Sequence, residues 1–126
     1  MKEVKEIWRG WQGHFICLCR FHLNTLVVYG KKKIVVSTVG EYYPGHLKGK
    51  MDTIGCDRFY ETMVFYSSND KYNDADVTQE LYEYFCGYNE ELEAQKGHYE
   101  ILRRVKKFII KQWKMVTLNY IEVRRR

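Results

Sequence analysis

Apolar and polar residues alternate along the first two thirds of this chain, and then the period lengthens to that of a helix. From Gly13 to Phe21 the alternation is that of a strand. Phe15, Cys17, Cys19 and Phe21 share one face; Ile16, Leu18 and Arg20 share the other. Thr25 to Tyr29 and Lys33 to Val39 are rich in β-branched residues. Between them, Gly30-Lys31 places a glycine where a type II′ hairpin turn needs positive φ. Gly40 to Gly55 holds four glycines and the single proline, Pro44, and reads as a long loop. Arg58 to Tyr66 alternates again, with Tyr60, Thr62, Val64 and Tyr66 opposite Phe59, Glu61, Met63 and Phe65. Ser67-Ser68-Asn69-Asp70 turns the chain. Val77 to Phe85 favours a strand, with Val77, Leu81 and Phe85 on one side and a short helix as the alternative.

Past Asn89, a residue suited to cap a helix, the spacing predicts a helix from about Glu90 to Trp113. Ile101, Leu102, Val105, Phe108 and Ile109 form its apolar stripe. Glu90, Glu91 and Glu93 come first and Arg103, Arg104, Lys106, Lys107 and Lys111 come last, which suits the macrodipole at both ends. Gly97 within it costs about 1 kcal/mol relative to alanine. Met115 to Val123 is β-branched enough for a last strand, with helical continuation as the alternative. The expected fold is therefore α+β: an antiparallel sheet of about five strands with one long C-terminal helix packed on a face, in a single domain over residues 1–126.

Composition adds two points. Apolar residues make up 45% and charged residues 29% of 126, ordinary globular values that argue against wholesale disorder. Eleven tyrosines cannot all sit in a dry core, since each hydroxyl needs a partner, so an aromatic contact surface is expected. No signal peptide and no transmembrane run is read, and the four cysteines, Cys17, Cys19, Cys56 and Cys86, are expected to be reduced thiols. The expected location is the cytoplasm of a bacterial host cell, with no membrane partner.

Charge is sorted by position. Residues 1–102 carry 12 Lys/Arg against 15 Asp/Glu, net −3, and residues 103–126 carry 9 against 1, net +8. From Asp74 to Glu93 lie seven acids and no Lys or Arg. Acids and tyrosines together in that segment make a candidate protein-contact surface that imitates the charge and stacking of nucleic acid. Its residues are Tyr72, Asp74, Asp76, Glu80, Tyr82, Glu83, Tyr84, Tyr88, Glu90 and Glu91. The basic segment makes the alternative, a nucleic-acid surface. Its residues are Arg103, Arg104, Lys107, Lys111, Trp113, Lys114, Arg124, Arg125 and Arg126.

Other chemistry is weaker. His14, Cys17, Cys19 and His22 have the ligand types of a zinc site, but on a strand the cysteines and histidines face opposite ways. A Ca²⁺ loop begun at Asp74 fails, with Gln79 at position six and Phe85 at position twelve. No metal and no cofactor are expected. The motifs of serine hydrolases, zincins, P-loops and dinucleotide binders are missing, so no catalytic residue is assigned. His46, in the long loop, is the best single general-base candidate, and a non-enzyme is the preferred reading.

Several motifs in order carry a resemblance. They are Arg9-Gly10-Trp11, Gly13-His14-Phe15-Ile16, Cys19-Arg20-Phe21, Asn24-Thr25-Leu26, Ile34 to Gly40, Ile54-Gly55, Arg58 to Met63, and Asp74-Ala75-Asp76-Val77. Over roughly residues 9–80 the chain resembles a family of short phage- and prophage-encoded proteins of unknown function. The basic ending after Trp113 departs from that family. The resemblance implies a context, and by analogy an anti-CRISPR or other anti-defence inhibitor that binds a host protein or nucleoprotein complex. A homodimer is a further expectation, since an exposed terminal strand or aromatic patch invites self-pairing.

Overall fold

The computed structural model describes residues 3–9, 18–67 and 75–125, with side chains except at 75–78, 113 and 116–125. Strands β1 (Lys5–Trp8), β2 (Cys19–Tyr29), β3 (Lys32–Tyr42), β4 (Tyr60–Ser67) and β5 (Ala75–Glu80) form an antiparallel sheet in that order. A short strand β6 (Cys86–Tyr88) also pairs with β4, and helix α1 (Glu91–Arg125) follows. The expected α+β architecture is the observed one.

The β2–β3 hairpin turns at Gly30-Lys31, with Tyr29 opposite Lys32 and Gly30 at φ 62°. A residue with a Cβ is strained at that angle, which is why glycine occupies the corner. The ladder is longer than the sequence suggests. β2 runs unbroken from Cys19 to Tyr29, joining what read as two segments, because ten paired positions with β3 carry it through His22-Leu23-Asn24. Residues 13–17 of the expected first strand lie outside the described residues. β3 runs on to Tyr42, so the loop begins later than expected. Asp52 donates its backbone N–H to the Tyr42 carbonyl at 2.8 Å, and Ile54 does the same to Arg58 at 2.7 Å.

The ambiguous stretch from Val77 to Phe85 resolves into two pieces. β5 pairs with one end of β4 and β6 with the other, and a 3-10 turn at Tyr82–Tyr84 separates them. β1 is a strand the sequence did not suggest. A helix, not the expected last strand, occupies Met115 to Val123. No glycine or proline follows Gly97, and extending an existing helix is far easier than starting a new element. Glu90, rather than Asn89, holds the cap position, since its carbonyl accepts the first α-helical bond from Ala94 at 3.0 Å.

α1 lies on the sheet face made by Thr25, Val27 and Tyr29 of β2, Ile34, Val36 and Thr38 of β3, and Thr62 and Val64 of β4. Ile101, Leu102, Val105 and Ile109, from the expected stripe, are buried there, and Phe108 packs at its border. Burying each such side chain is worth about 1.5–3 kcal/mol. The same face holds a polar chain. His98 is fully buried, with Nε2 3.0 Å from Thr25 Oγ1 and Nδ1 2.7 Å from Thr38 Oγ1. Thr38 Oγ1 is 2.6 Å from Thr62 Oγ1, which is 3.2 Å from the Tyr88 hydroxyl. One neutral imidazole thus ties the helix to β2 and β3, and through the hydroxyls to β4 and β6.

Candidate functional site

The structure disperses the acidic-aromatic candidates. Tyr72 and Asp74 lie outside the described residues, and Asp76 is on β5 without a described side chain. Glu80 ends β5 opposite Phe65, half-buried. Tyr82 and Glu83 are exposed on the 3-10 turn, Tyr82 at 75%. Tyr84 and Tyr88 are buried instead of facing a partner. The Tyr84 ring packs edge-on to Phe108 at 6.0 Å, and burial, with Glu83 adding to it, raises its hydroxyl pKa. Tyr88 lies against Gly97 of the helix, and burial raises its pKa strongly. Glu90 and Glu91 are exposed where α1 begins.

The basic candidates stay together. Arg103, Lys107, Lys111 and Lys114 recur at the spacing of one helix face, with Arg104 beside them, and all five are exposed. They lie opposite the buried stripe of Ala94, His98, Ile101, Val105 and Ile109. From Arg103 to Lys114 this row is about 17 Å long. Glu100 takes part of it: its carboxylate accepts from Arg103 Nε at 3.2 Å and Nη2 at 2.5 Å, and Arg103 pulls the Glu100 pKa down. The Arg104 guanidinium stands 5.1 Å above the Tyr84 ring. Trp113, Arg124 and Arg125 are on the same helix without described side chains, and Arg126 lies outside the described residues.

His46 is exposed on the 3-10 turn Gly45–Leu47. Of the zinc-type set, His14 and Cys17 lie outside the described residues. Cys19 is buried, and His22 Nε2 sits 2.6 Å from the Cys19 carbonyl. Among the described residues no three His, Cys, Asp or Glu side chains are grouped as metal ligands would be. No described helix is long and apolar enough to cross a membrane.

The sheet face away from α1 carries a polar set that the sequence reading passed over. Asn24 of β2 and Ser37 of β3 are opposite each other and fully buried, with Met63 of β4 next in the row. In the adjoining row Val39 separates His22 from Glu61, which is only 3% exposed. Asn24 Oδ1 accepts from Arg9 Nε at 3.1 Å. Beside β4 this face opens into a cavity of about 460 Å³, lined by Tyr42, Thr53, Ile54, Gly55, Glu61, Met63 and Phe85. Strand alternation would put Tyr42 on the helix side with Thr38. The ladder skips Arg20 and Glu41 without a change of register; Glu41, at φ 56°, breaks the alternation there, and Tyr42 lines the same recess as Glu61. Gly55 leaves room for the acid: a methyl group there would overlap Glu61 Oε2 and come 3.6 Å from the Phe85 ring.

Comparison with protein-family models, curated proteins and solved structures finds no match to this chain.

The signal for the second face was in the sequence. Asn24, Ser37 and Glu61 each have apolar or β-branched residues on both sides, Leu23 and Thr25, Val36 and Thr38, Tyr60 and Thr62, and so are polar where a strand buries its side chains. Alternation alone assigned Glu61 to a face without asking whether that face was wet.

Proposed function

We propose that this protein is a binding module that contacts the phosphate backbone of a nucleic acid through the outer face of α1. The observation that supports it is the exposed row Arg103, Arg104, Lys107, Lys111 and Lys114, set opposite the core. Its length of about 17 Å spans about five phosphates of one strand at 3.4 Å each. A stripe of this kind reads charge, not base identity, so the binding is sequence-tolerant. Fluorescence anisotropy with a labelled 20-base-pair duplex tests it. Affinity should fall with salt at a log–log slope of about −4. The triple variant K107E/K111E/K114E should bind at least about tenfold more weakly while keeping its circular dichroism spectrum. No binding at 50 mM salt would end the proposal.

A second reading keeps the context that the resemblance implies, a phage-derived inhibitor of a host factor that acts by protein contact. What favours it is Tyr82, the most exposed of the described large apolar side chains, next to Glu83. A protruding tyrosine flanked by acid suits a basic groove. Charge reversal at Glu80, Glu83, Glu90 and Glu91 should abolish inhibition under this reading and leave duplex binding intact under the first. Affinity capture from host lysate separates the two as well: nuclease releases the partner under the first reading and not under the second.

A further inference from the structure

We infer that the nucleic acid held by α1 is engaged as a single strand, with two of its bases stacked on Trp8 of β1 and Tyr99 of α1. The inference rests on the phosphate-binding reading of the α1 row and names the form of nucleic acid which that reading leaves open. Trp8 and Tyr99 are each 55% exposed. They flank one residue: the buried His98 ring lies T-shaped to Trp8 at 6.4 Å and to Tyr99 at 5.4 Å. The fold thus brings together two large exposed rings that are far apart in the chain. Tyr99 also stands four residues before Arg103, and Lys107 and Lys111 follow at the same spacing, so the rings adjoin the first end of the basic row. Base faces stack on aromatic side chains whatever the sequence, while cations alongside hold the phosphates. A duplex keeps those faces between its own base pairs and can use the row alone. Only an unpaired strand can use the row and the rings together.

The rings are held in place. Trp8 is paired with Thr25 of β2, whose Oγ1 is 3.0 Å from His98 Nε2, and Arg9 after it donates its backbone N–H to the Asn24 carbonyl at 2.7 Å. Tyr99 follows His98 on the helix. Platforms fixed in advance lose little freedom on binding. The charges beside them also suit a polyanion. Glu6, two residues before Trp8 on the same strand face, bonds Lys106 Nζ at 2.5 Å, and Glu100, next to Tyr99, accepts from Arg103, so both acids are offset by a cation. Lys96, three residues before Tyr99, is exposed and adds a positive charge at that end of the row.

Anisotropy at 50 mM salt with three labelled probes tests this: a 20-nucleotide thymidine strand, an abasic strand of the same length and charge, and the 20-base-pair duplex. The thymidine strand should bind full-length protein at least about tenfold more tightly than the abasic one, because only it carries bases to stack. Trp8→Ala and Tyr99→Ala should each weaken the thymidine strand at least about fivefold and leave the abasic strand and the duplex within about twofold. Trp8→Phe, which keeps a ring, should retain most of the affinity. Tyr99→Ala, on the outside of the helix, gives the reading by itself if Trp8→Ala fails to fold. Equal binding of the thymidine and abasic strands, full thymidine affinity in folded Tyr99→Ala, or an equal loss on all three probes would overturn the inference and leave the α1 reading standing. No binding of any probe would overturn both.

Discussion

His98 shows how one side chain decides the behaviour of several. It faces Thr25 and Thr38 through its ring nitrogens, with Trp8 and Tyr99 edge-on at 6.4 and 5.4 Å. No charged group is among these neighbours, so burial alone holds its pKa down, to about 4. In the unfolded chain the ring titrates near 6.5. Above that value both forms are neutral and the pH has no effect through this residue. Below it the unfolded chain takes up a proton that the folded protein refuses, so stability falls until the folded pKa is passed. The loss between pH 6.5 and 4 amounts to about 3 kcal/mol. Urea midpoints measured across that interval should fall steadily in the parent protein. In His98→Gln this part of the acid slope should vanish, although the variant starts lower. Tyr60 behaves differently. Burial first, and then its 3.0 Å bond to Glu41, push its hydroxyl up to about 12, so it stays protonated through the neutral range.

At the level of elements, α1 was legible from its stripe and its charges, and the β2–β3 hairpin from Gly30 and the β-branched runs. What escaped was set by pairing. β1 is four residues whose side chains are all exposed, so it carries no alternating pattern and exists because β2 offers it a ladder. β6 is three residues held by β4. Such strands are tertiary products, and no local spacing announces them. Gly97 has the same kind of cause. Its helix propensity is poor, yet the Tyr88 ring occupies the place where a Cβ would stand. Gly97→Ala would gain about 1 kcal/mol of propensity. Overpacking against a buried tyrosine costs about 1–3 kcal/mol. The net expectation is a lower melting temperature, measured by calorimetry. A rise would mean that Tyr88 moves aside freely.

Over the whole molecule, the charge division seen along the chain changes meaning. Much of the basic excess belongs to one helix, and folding turns that sequential cluster into an exposed lengthwise row. The acidic segment undergoes the reverse: Tyr84 and Tyr88 enter the core, while Glu83 and Glu90 stay outside. One-dimensional clustering therefore survived where a single helix carried it and dissolved where the chain bent through a turn and a short strand. The cavity lay beyond sequence reading for the same reason, since its walls come from β3, β4, the loop and the residue before β6.

The central place of β3 carries a dynamic consequence. It is laddered to β2 over ten positions and to β4 over seven, and α1 rests on it. Amide protons at Val35, Val36 and Ser37 should exchange with solvent only when the entire molecule unfolds, whereas those of β1 and β6 should escape through local openings. Native-state hydrogen exchange in low denaturant would read this directly. Because His98 bonds to Thr25 and Thr38, the slow amides of α1 should join the same cooperative unit as β2 and β3, so the helix and the middle of the sheet would open together or not at all.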